Sequence, residues 1–550
     1  MLVKLASAVS QMSESKLQES DVRIRHSLSK DEEEFRVRRR NTVQQCLQNH
    51  KIDCSENGVP NIALLGSGGG QRAMVGLLAS LDKLQKVGLL DSVLYLSGVS
   101  GSTWCMASLY QEPDWSTKLE AVKDKIVQRL NGPEVSWTDA SAKLKKYYYE
   151  KDLFSLTDVW AVMVVTMFAK EINEHTLSEQ WHQQSKDPFP IYAVIDKQSK
   201  QGNEGDPWFE FTPHEAGYSL IGASIAVSNF GSQFEKGSVK KKQPEIDMLY
   251  LQALCGSALA DGVENKKFLW QNIKECLHQS RHEKMGEDCL SEDQCSQVLL
   301  DLADINLCVL EGKDHSAHDK SIRTMLKELA GGKSQTIDPV QKTNLEPYTM
   351  EVIKKLSDGL KTLPFNIWLS IYRCMAKWIW GRKYNFLHKM TDKEVPAALL
   401  KSEKRDFEDA GPLLNSPYFS VLRKAREIDL IISLDFSDGD PFMTVREAAK
   451  TCREQNIPFP EVNIPSTDLK KPKDFYVFKG QNAPTVIHIP LFNEVNCGDQ
   501  IEDWRSKYTT FQGPYSAEMI SDLMEVAGKN ITNNAEKMVE EIRAVAGLQV

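Results

Sequence analysis

Asn61-Ile62-Ala63-Leu64-Leu65-Gly66-Ser67-Gly68-Gly69-Gly70-Gln71-Arg72-Ala73 is followed by Val93-Leu94-Tyr95-Leu96-Ser97-Gly98-Val99-Ser100-Gly101-Ser102-Thr103-Trp104. Each stretch starts as a short apolar run and breaks into a glycine-rich turn. Between them Met74, Leu77, Leu78, Leu81 and Leu84 recur at three- and four-residue steps, the period of a helix with one apolar face. Gly88 stands where such a helix ends in the left-handed conformation that glycine tolerates. The pattern predicts strand, helix, strand and a second helix. A crossover between parallel strands is right-handed in nearly all folds. Both turns are therefore expected at one carboxyl edge of one sheet, where open α/β sheets hold their ligands.

Ser100 is then expected in a sharp strand-to-helix turn, with Gly98 and Gly101 on either side to tolerate a strained backbone and leave the hydroxyl open. The turn departs from G-x-S-x-G at its last position, Ser102. Gly69 and Gly70 can aim main-chain N–H groups at an oxygen that gains charge as a carbonyl is attacked. The helix after Ser100 points its positive end at the same place. Other readings of the first turn fit less well. G-x-G-x-x-A is met from Gly68 to Ala73, but the second strand ends in Ser97-Gly98, with no acidic residue for a ribose. A phosphate loop requires Gly-Lys-Ser/Thr where Arg72-Ala73 stand.

A serine nucleophile needs a base. Asp409 lies in the turn sequence Glu408-Asp409-Ala410-Gly411, Asp435 ends the apolar run 428–434, and His488 lies within Thr485–Ile489, another buried strand by composition. The order Ser…Asp…His is that of hydrolase triads. An aspartate capping its own turn, or a histidine bonded inside a sheet, would look the same in sequence. Periodicity does not choose among the three.

The remaining chain bounds the function. Of 550 residues, 41% are hydrophobic and 26% charged, an ordinary globular balance that excludes collagen-like, mucin-like and disordered chains. Net charge is −9, which gives no electrostatic drive toward nucleic acid. Eleven scattered cysteines with no CxxC pair read as reduced thiols. His278 and His282, with Cys276 nearby, have metal-ligand spacing, but no carboxylate base stands between them, and an exposed helix face is the plainer reading. No metal and no cofactor is expected. The N-terminal MLVKLASAVSQMSESK lacks a signal-peptide core. The longest apolar run, Val159–Ala169, falls well short of the ~20 residues that cross a bilayer, so any membrane contact is expected to be peripheral. Residues 1–45, with Asp31-Glu32-Glu33-Glu34 and Arg36, Arg38, Arg39 and Arg40, are expected as a surface helical extension. Residues 114–200 read as mainly helical, 208–235 as short strands, 263–345 as an insertion of long helices and mobile loops, and the region from Ser516 as an amphipathic helix.

The two glycine motifs, together with Asp435-Phe436-Ser437, resemble the group IV cytosolic phospholipases A2, over about residues 35–547. The resemblance implies an α/β fold of the patatin type: a central mixed sheet flanked by helices, with 46–550 as one catalytic domain. It implies a Ser–Asp dyad in which Ser100 is the nucleophile and Asp409 the general base, with Gly69 and Gly70 as oxyanion donors. Arg72 and Arg426 would meet the lipid phosphate, and His488 and Asp435 would be structural. The implied reaction is calcium-independent hydrolysis of glycerophospholipids and lysophospholipids, with transacylation when a lipid hydroxyl replaces water. A soluble Ser–His–Asp esterase using His488, or an inactive lipid-binding protein, are the competing readings. The implied site of action is the cytoplasm, at intracellular membrane surfaces. The first 60 residues are short and charged for a lipid-docking β-sandwich, no calcium-loop pattern occurs, and the chain ends Gly547-Leu548-Gln549-Val550 without a prenylation cysteine. Membrane contact would then fall to basic–aromatic stretches such as Lys143–Tyr149, Lys240-Lys241-Lys242 and Trp378-Ile379-Trp380.

Overall fold

The computed structural model describes residues 20–202, 205–257, 262–283, 290–330, 337–338, 340–359, 363–510 and 512–547. Its strands are β1 (Val22–Ile24), β2 (Ile62–Gly66), β3 (Tyr95–Gly98), β4 (Phe189–Asp196), β5 (Trp208–Phe211), β6 (Glu215–Tyr218), β7 (Ala223–Ala226), β8 (Gln233–Glu235), β9 (Ser238–Lys241), β10 (Arg382–Tyr384), β11 (Lys404–Asp409), β12 (Leu430–Asp435), β13 (Tyr476–Phe478) and β14 (Thr485–Pro490). Twelve of them make one mixed sheet in the order β1-β7-β6-β5-β4-β3-β2-β12-β14-β13, with β11 pairing β4 and β10 pairing β11; β8 and β9 form a separate hairpin.

The middle of the sheet, β4-β3-β2-β12-β14, is parallel. These strands are covered on both faces, and every residue of β2, β3, β4, β12 and β14 is buried. Continuous apolar runs such as Ile62–Leu65 and Leu430–Leu434 follow from that double burial. The helix Gly70–Lys86 crosses from β2 to β3, and the C-terminal helix Ala517–Gly547 packs along it.

Two sequence expectations are corrected. Residues 114–200 hold the expected helices, Leu119–Leu130 and Trp137–Glu150 among them, but also β4, the strand on which the site is registered. Pro188 and Pro190 disguise it, because proline is rare inside sheets. Phe189 N–H donates to Leu94 O at 2.8 Å, so successive backbone positions alternate and Pro190 turns its nitrogen away from β3. The antiparallel partner on that other side begins only at Tyr192. No ladder bond is lost.

The N-terminal segment is not a surface extension. β1 completes the sheet edge against β7, and helix Lys30–Asn49 buries Glu32, Phe35, Arg39, Val43, Cys46 and Leu47. Arg39 donates to Val93 O, and Glu32 enters an ion pair described below. The charge run therefore divides into exposed Asp31, Glu33 and Glu34 and buried Glu32. Residues 1–19 lie outside the described residues. Helices Gly262–Glu283, Leu290–Glu311 and Ser316–Leu329 occupy the stretch expected to be helical, while 284–289 and 331–336, with Gly331-Gly332, lie outside the described residues. Ten cysteines are described and all are free thiols. Among the described residues no helix is long and apolar enough to cross a membrane.

Candidate active site

The two glycine turns meet at the carboxyl edge of the sheet. Gly66 of β2 is registered on Gly98 of β3, so the chain leaves both strands at the same height. A Cβ at Gly101 would stand 1.8 Å from Gly70 O; the close approach of the two turns requires glycine there. Ser102 Oγ donates to Ser67 O at 2.6 Å and ties them further. Ser100, between them, has φ 50° and ψ −131°, a conformation that costs an L-residue about 1–3 kcal/mol. Its N–H donates to Cys255 O at 3.0 Å, anchoring it to the end of helix Met248–Cys255. The N–H groups of Gly69 and Gly70 take no partner among the described residues.

Asp409 reaches the same place by a different route. Gly98 is registered on Tyr192 of β4, and Asp409, the last residue of β11, on Val194. β5 pairs Tyr192 and Val194 from the opposite side, so β3 and β11 share one edge of β4 and run toward each other, end to end. Asp409 Oδ1 accepts from Gly411 N–H at 2.7 Å, which fixes the turn, and Asp409 N–H donates to Ser257 Oγ at 3.4 Å. Asp409 is buried, with Cys255 beside it holding an un-ionised thiol, pushed up by burial first and the Asp409 charge second.

A cleft opens at Ser100 and Gly70 and is walled by Trp104, Trp160, Val164, Phe168 and Phe268. Trp104 stacks on Phe168 with ring centroids 5.8 Å apart, and Trp160 meets Phe268 at 6.2 Å. The indole N–H of Trp104 donates to Gln252 O and that of Trp160 to Gly256 O, so both polar tips are satisfied and only ring faces meet the cleft. Residues 161–165 wind as a π-helical segment, a local widening that recurs at functional sites. One polar end and one aromatic, apolar body suit a long acyl chain whose ester lies at Ser100.

The two arginines expected to meet a phosphate are held by the protein itself. Arg426 is fully buried. Nε donates to Glu32; Nη1 to Glu210 and Ser420 O; Nη2 to both Glu32 and Glu210. All five N–H groups are used, leaving none for a phosphate. Burial pulls this guanidinium down, but Glu210 and Glu32 outweigh it and hold it well above the ordinary range. Arg72 is also buried, behind Gly69. It donates to Phe436 O at 2.6 Å, Asp438 at 3.3 Å, Tyr508 O and Thr510 Oγ1, and so straps the 508–510 segment to the helix that starts at Gly70.

Asp435 and His488 take structural places. Asp435 Oδ1 accepts from Ser437 N–H at 2.8 Å. His488 sits on β14, with β2 and β12 between it and β3, and Nε2 donates to Pro441 O at 2.7 Å. Burial holds its imidazole below the usual value. The basic–aromatic stretches divide: Lys143, Tyr147 and Trp380 are packed, whereas Lys145, Lys146, Tyr149 and Lys240-Lys241-Lys242 are exposed. Lys143 pairs with Asp247 and Glu174, Tyr147 is buried, Lys241 pairs with Asp152, and Trp380 packs against Trp160. His278 is exposed, and the side chain of His282 lies outside the described residues. Asp301, Asp304 and His318 come within 4.8 Å of one another, but His318 and Ser321 hold Asp301 and Lys274 holds Asp304.

Sequence reasoning missed Asn415 and Ser257. Each acts through main-chain carbonyls or N–H groups of distant loops, and no local pattern marks such a partner.

A strained serine facing an apolar cleft, with main-chain N–H groups beside it that take no partner among the described residues, is the arrangement of a hydrolase. A family model described as lysophospholipase catalytic domain matches residues 62–299. Cytosolic phospholipase A2 gamma of Homo sapiens is 34% identical over 550 aligned residues, covering 96% of this chain and 97% of that protein. Its Mus musculus counterpart is 33% identical over 539, covering 90% and 88%. A solved structure, human GIVD cytosolic phospholipase A2, superimposes with a TM-score of 0.68 at 22% identity, covering 96% of this chain and 66% of that one. The chain belongs to the cytosolic phospholipase A2 family.

Proposed function

We propose that this chain hydrolyses fatty-acyl esters of glycerophospholipids and lysophospholipids through a Ser100–Asp409 dyad. The observation that supports the reading is the end-to-end placement of β3 and β11 on one edge of β4, which aims the end of β11 at Asp409 toward the strained Ser100 turn, itself on the wall of an apolar cleft. Asp409 takes the hydroxyl proton as Ser100 Oγ bonds to the carbonyl carbon. Gly69 and Gly70 N–H groups hold the oxyanion. The ester C–O bond then breaks, and the departing lipid alkoxide takes the proton from Asp409. Water, deprotonated by Asp409, attacks the acyl-serine and releases fatty acid; a second lipid hydroxyl in its place gives transacylation. A serine attacked by no base is a poor nucleophile, and proton transfer of this kind is worth about 10²–10⁴-fold in rate.

Turnover is proposed to be independent of calcium. The protein is proposed to work from the cytoplasm at the surface of intracellular membranes. Leu413, on the turn that follows Asp409, and Met443, beyond β12, are apolar and 38% and 54% exposed, as a lipid-facing rim would be.

Mass spectrometry of products from mixed phospholipid vesicles, with native protein and Ser100→Ala and with and without a calcium chelator, tests the reading. Free fatty acid and lysolipid are expected from the native protein in both conditions and from Ser100→Ala in neither. A fluorophosphonate probe is expected to label native protein only. Product from Ser100→Ala, or no labelling of the native chain, overturns it.

A further inference from the structure

Asn415 lies at the junction of three loops that leave three different strands. It follows Asp409 on the turn beyond β11; its main-chain O accepts from Gly68 N–H at 3.0 Å; its side-chain Nδ2 donates to Gly68 O at 3.2 Å and to Ser437 Oγ at 2.8 Å, beyond β12. One residue thus holds both polar ends of Gly68. Ser437 is itself fixed, because its N–H is bonded to Asp435. A Cβ at Gly68 would stand 2.3 Å from Asn415 Oδ1 and 2.8 Å from Ser100 Cβ, so the carboxamide and the nucleophile meet over this glycine.

The consequence follows from the planarity of the peptide unit. Gly68 C=O and Gly69 N–H belong to one rigid trans amide and point in opposite directions. Whatever fixes the direction of Gly68 O fixes the direction of Gly69 N–H. Two side-chain groups reach Gly68 O: Asn415 Nδ2 and, at 3.2 Å, the Ser67 hydroxyl. Only the carboxamide also holds Gly68 N–H through its own backbone and bridges to the Asp409 turn.

We infer that Asn415 is a positioning residue that aims the Gly69 N–H at the reaction's oxyanion by clamping the far side of the same peptide. The inference rests on the Ser100 reading above. It explains why an amide stands here: Nδ2 must donate twice, to Gly68 O and to Ser437 Oγ, which neither a carboxylate nor a hydroxyl can do. A carboxylate of the same shape would set oxygen against oxygen at Gly68 and place negative charge beside the developing oxyanion.

The test uses the full chain with Asn415→Asp, Asn415→Ala and Ser437→Ala. Turnover of phospholipid vesicles is measured beside binding of two ligands. One is a fatty-acyl trifluoromethyl ketone, whose carbonyl carbon bonds to Ser100 Oγ and leaves an oxyanion; the other is a non-hydrolysable ether lipid, which engages the cleft without one. Loss of one oxyanion donor costs about 10²–10³-fold in kcat, and Asn415→Asp is expected in that range with KM little changed. Ketone affinity is expected to fall with kcat and ether-lipid affinity to hold. Ser437→Ala, which frees one end of the clamp, is expected between native and Asn415→Ala and carries the test should Asn415→Asp not fold. Near-native kcat in both Asn415 variants overturns the inference, as does a loss that strikes ether-lipid binding as hard as kcat. Ser100→Ala is run in parallel: activity there would remove the reading beneath the clamp, whereas an inactive Ser100→Ala beside a fully active Asn415→Asp removes the clamp alone.

Discussion

Gly98 and Asp409 occupy the same edge of β4, Gly98 registered on Tyr192 and Asp409 on Val194. The two partners lie two residues apart, about 7 Å along the strand. A parallel strand and an antiparallel one abut there, which turns Asp409, at the end of β11, toward Ser100, two residues past Gly98, as the proposed dyad requires. Asp409→Asn tests the chemical half of this arrangement without the structural half. The amide oxygen can still accept from Gly411 N–H, so the turn is kept, but it cannot take a proton. The expected result is an unchanged melting temperature with kcat lower by about 10²–10⁴-fold. Retention of more than a tenth of native turnover would exclude Asp409 as the base.

Contact between the two glycine turns is tested by Gly101→Ala. The added methyl would lie 1.8 Å from Gly70 O, a main-chain atom at the start of a buried helix that cannot swing aside. Overpacking of this kind costs about 1–3 kcal/mol and more where backbone must move. Lower stability in denaturant titration is expected, and fluorophosphonate labelling of the folded fraction is expected to slow, because Gly70 is a proposed oxyanion donor. Gly439→Ala, with open space around its Cβ, is the control and should match the native chain on both counts.

Arg426 and Arg72 face inward, and their substitution should report it. Arg426→Met leaves Glu32 and Glu210 buried without their shared cation, a loss of about 3–5 kcal/mol when a buried pair is broken. Arg72→Leu frees Tyr508 O and Thr510 from the helix that starts at Gly70. Both are expected to lower turnover of a phospholipid and of a neutral fatty-acyl ester by the same factor. A loss confined to the phospholipid in either variant would restore a phosphate contact to that arginine.

Local patterns carried what is local. The strand–turn–helix at Ile62–Lys86 and at Tyr95–Leu109 was readable because apolar runs and glycine turns are contiguous in sequence, and right-handed crossover then places both turns at one edge. β4 was not readable, since Pro190 is excused only by an absence of pairing on its far side, which no local window contains. The role of Glu32 was hidden for a similar reason: in a run of four acidic residues nothing distinguishes the one that meets Arg426, 394 residues away. The resemblance assigns roles to Ser100 and Asp409 but says nothing of the inward pairing of Arg426, because a motif transfers a residue's position and not its neighbours. Asn415 left no trace at all; its work is done on the backbone of Gly68.

The π-helical segment 161–165 contributes Val164 to the wall of the proposed acyl slot. Trp160 and Phe168 line the same cleft. Val164→Trp fills that space without touching Ser100 or Asp409. Esters of long acyl chains are expected to lose at least about tenfold in kcat/KM, the scale of a lost or blocked methylene contact in a hydrophobic pocket. Short-chain esters, which end before the obstruction, should be hydrolysed as before. Parallel losses on both chain lengths would mean that the long chain takes another path.

A buried lysine gives the fold a pH dependence of its own. Lys383, on β10, is buried with its Nζ 4.0 Å from the centre of the Tyr250 ring; Lys151, Asp158 and Asp247 also face it. Burial first, and the Lys151 ammonium second, pull its pKa down to about 7 from 10.5, against the opposing pull of Asp158 and Asp247. Between those two values the unfolded chain holds a proton that the folded chain does not, so this group makes stability rise with pH across that window. Below about 7 both states are protonated and the penalty is fully present. Lys383→Met keeps the unbranched stem and removes the charge. Its melting temperature is expected to exceed the native value clearly at pH 6 and by much less at pH 10. An equal difference at both pH values would show that Lys383 keeps an ordinary pKa in the folded protein.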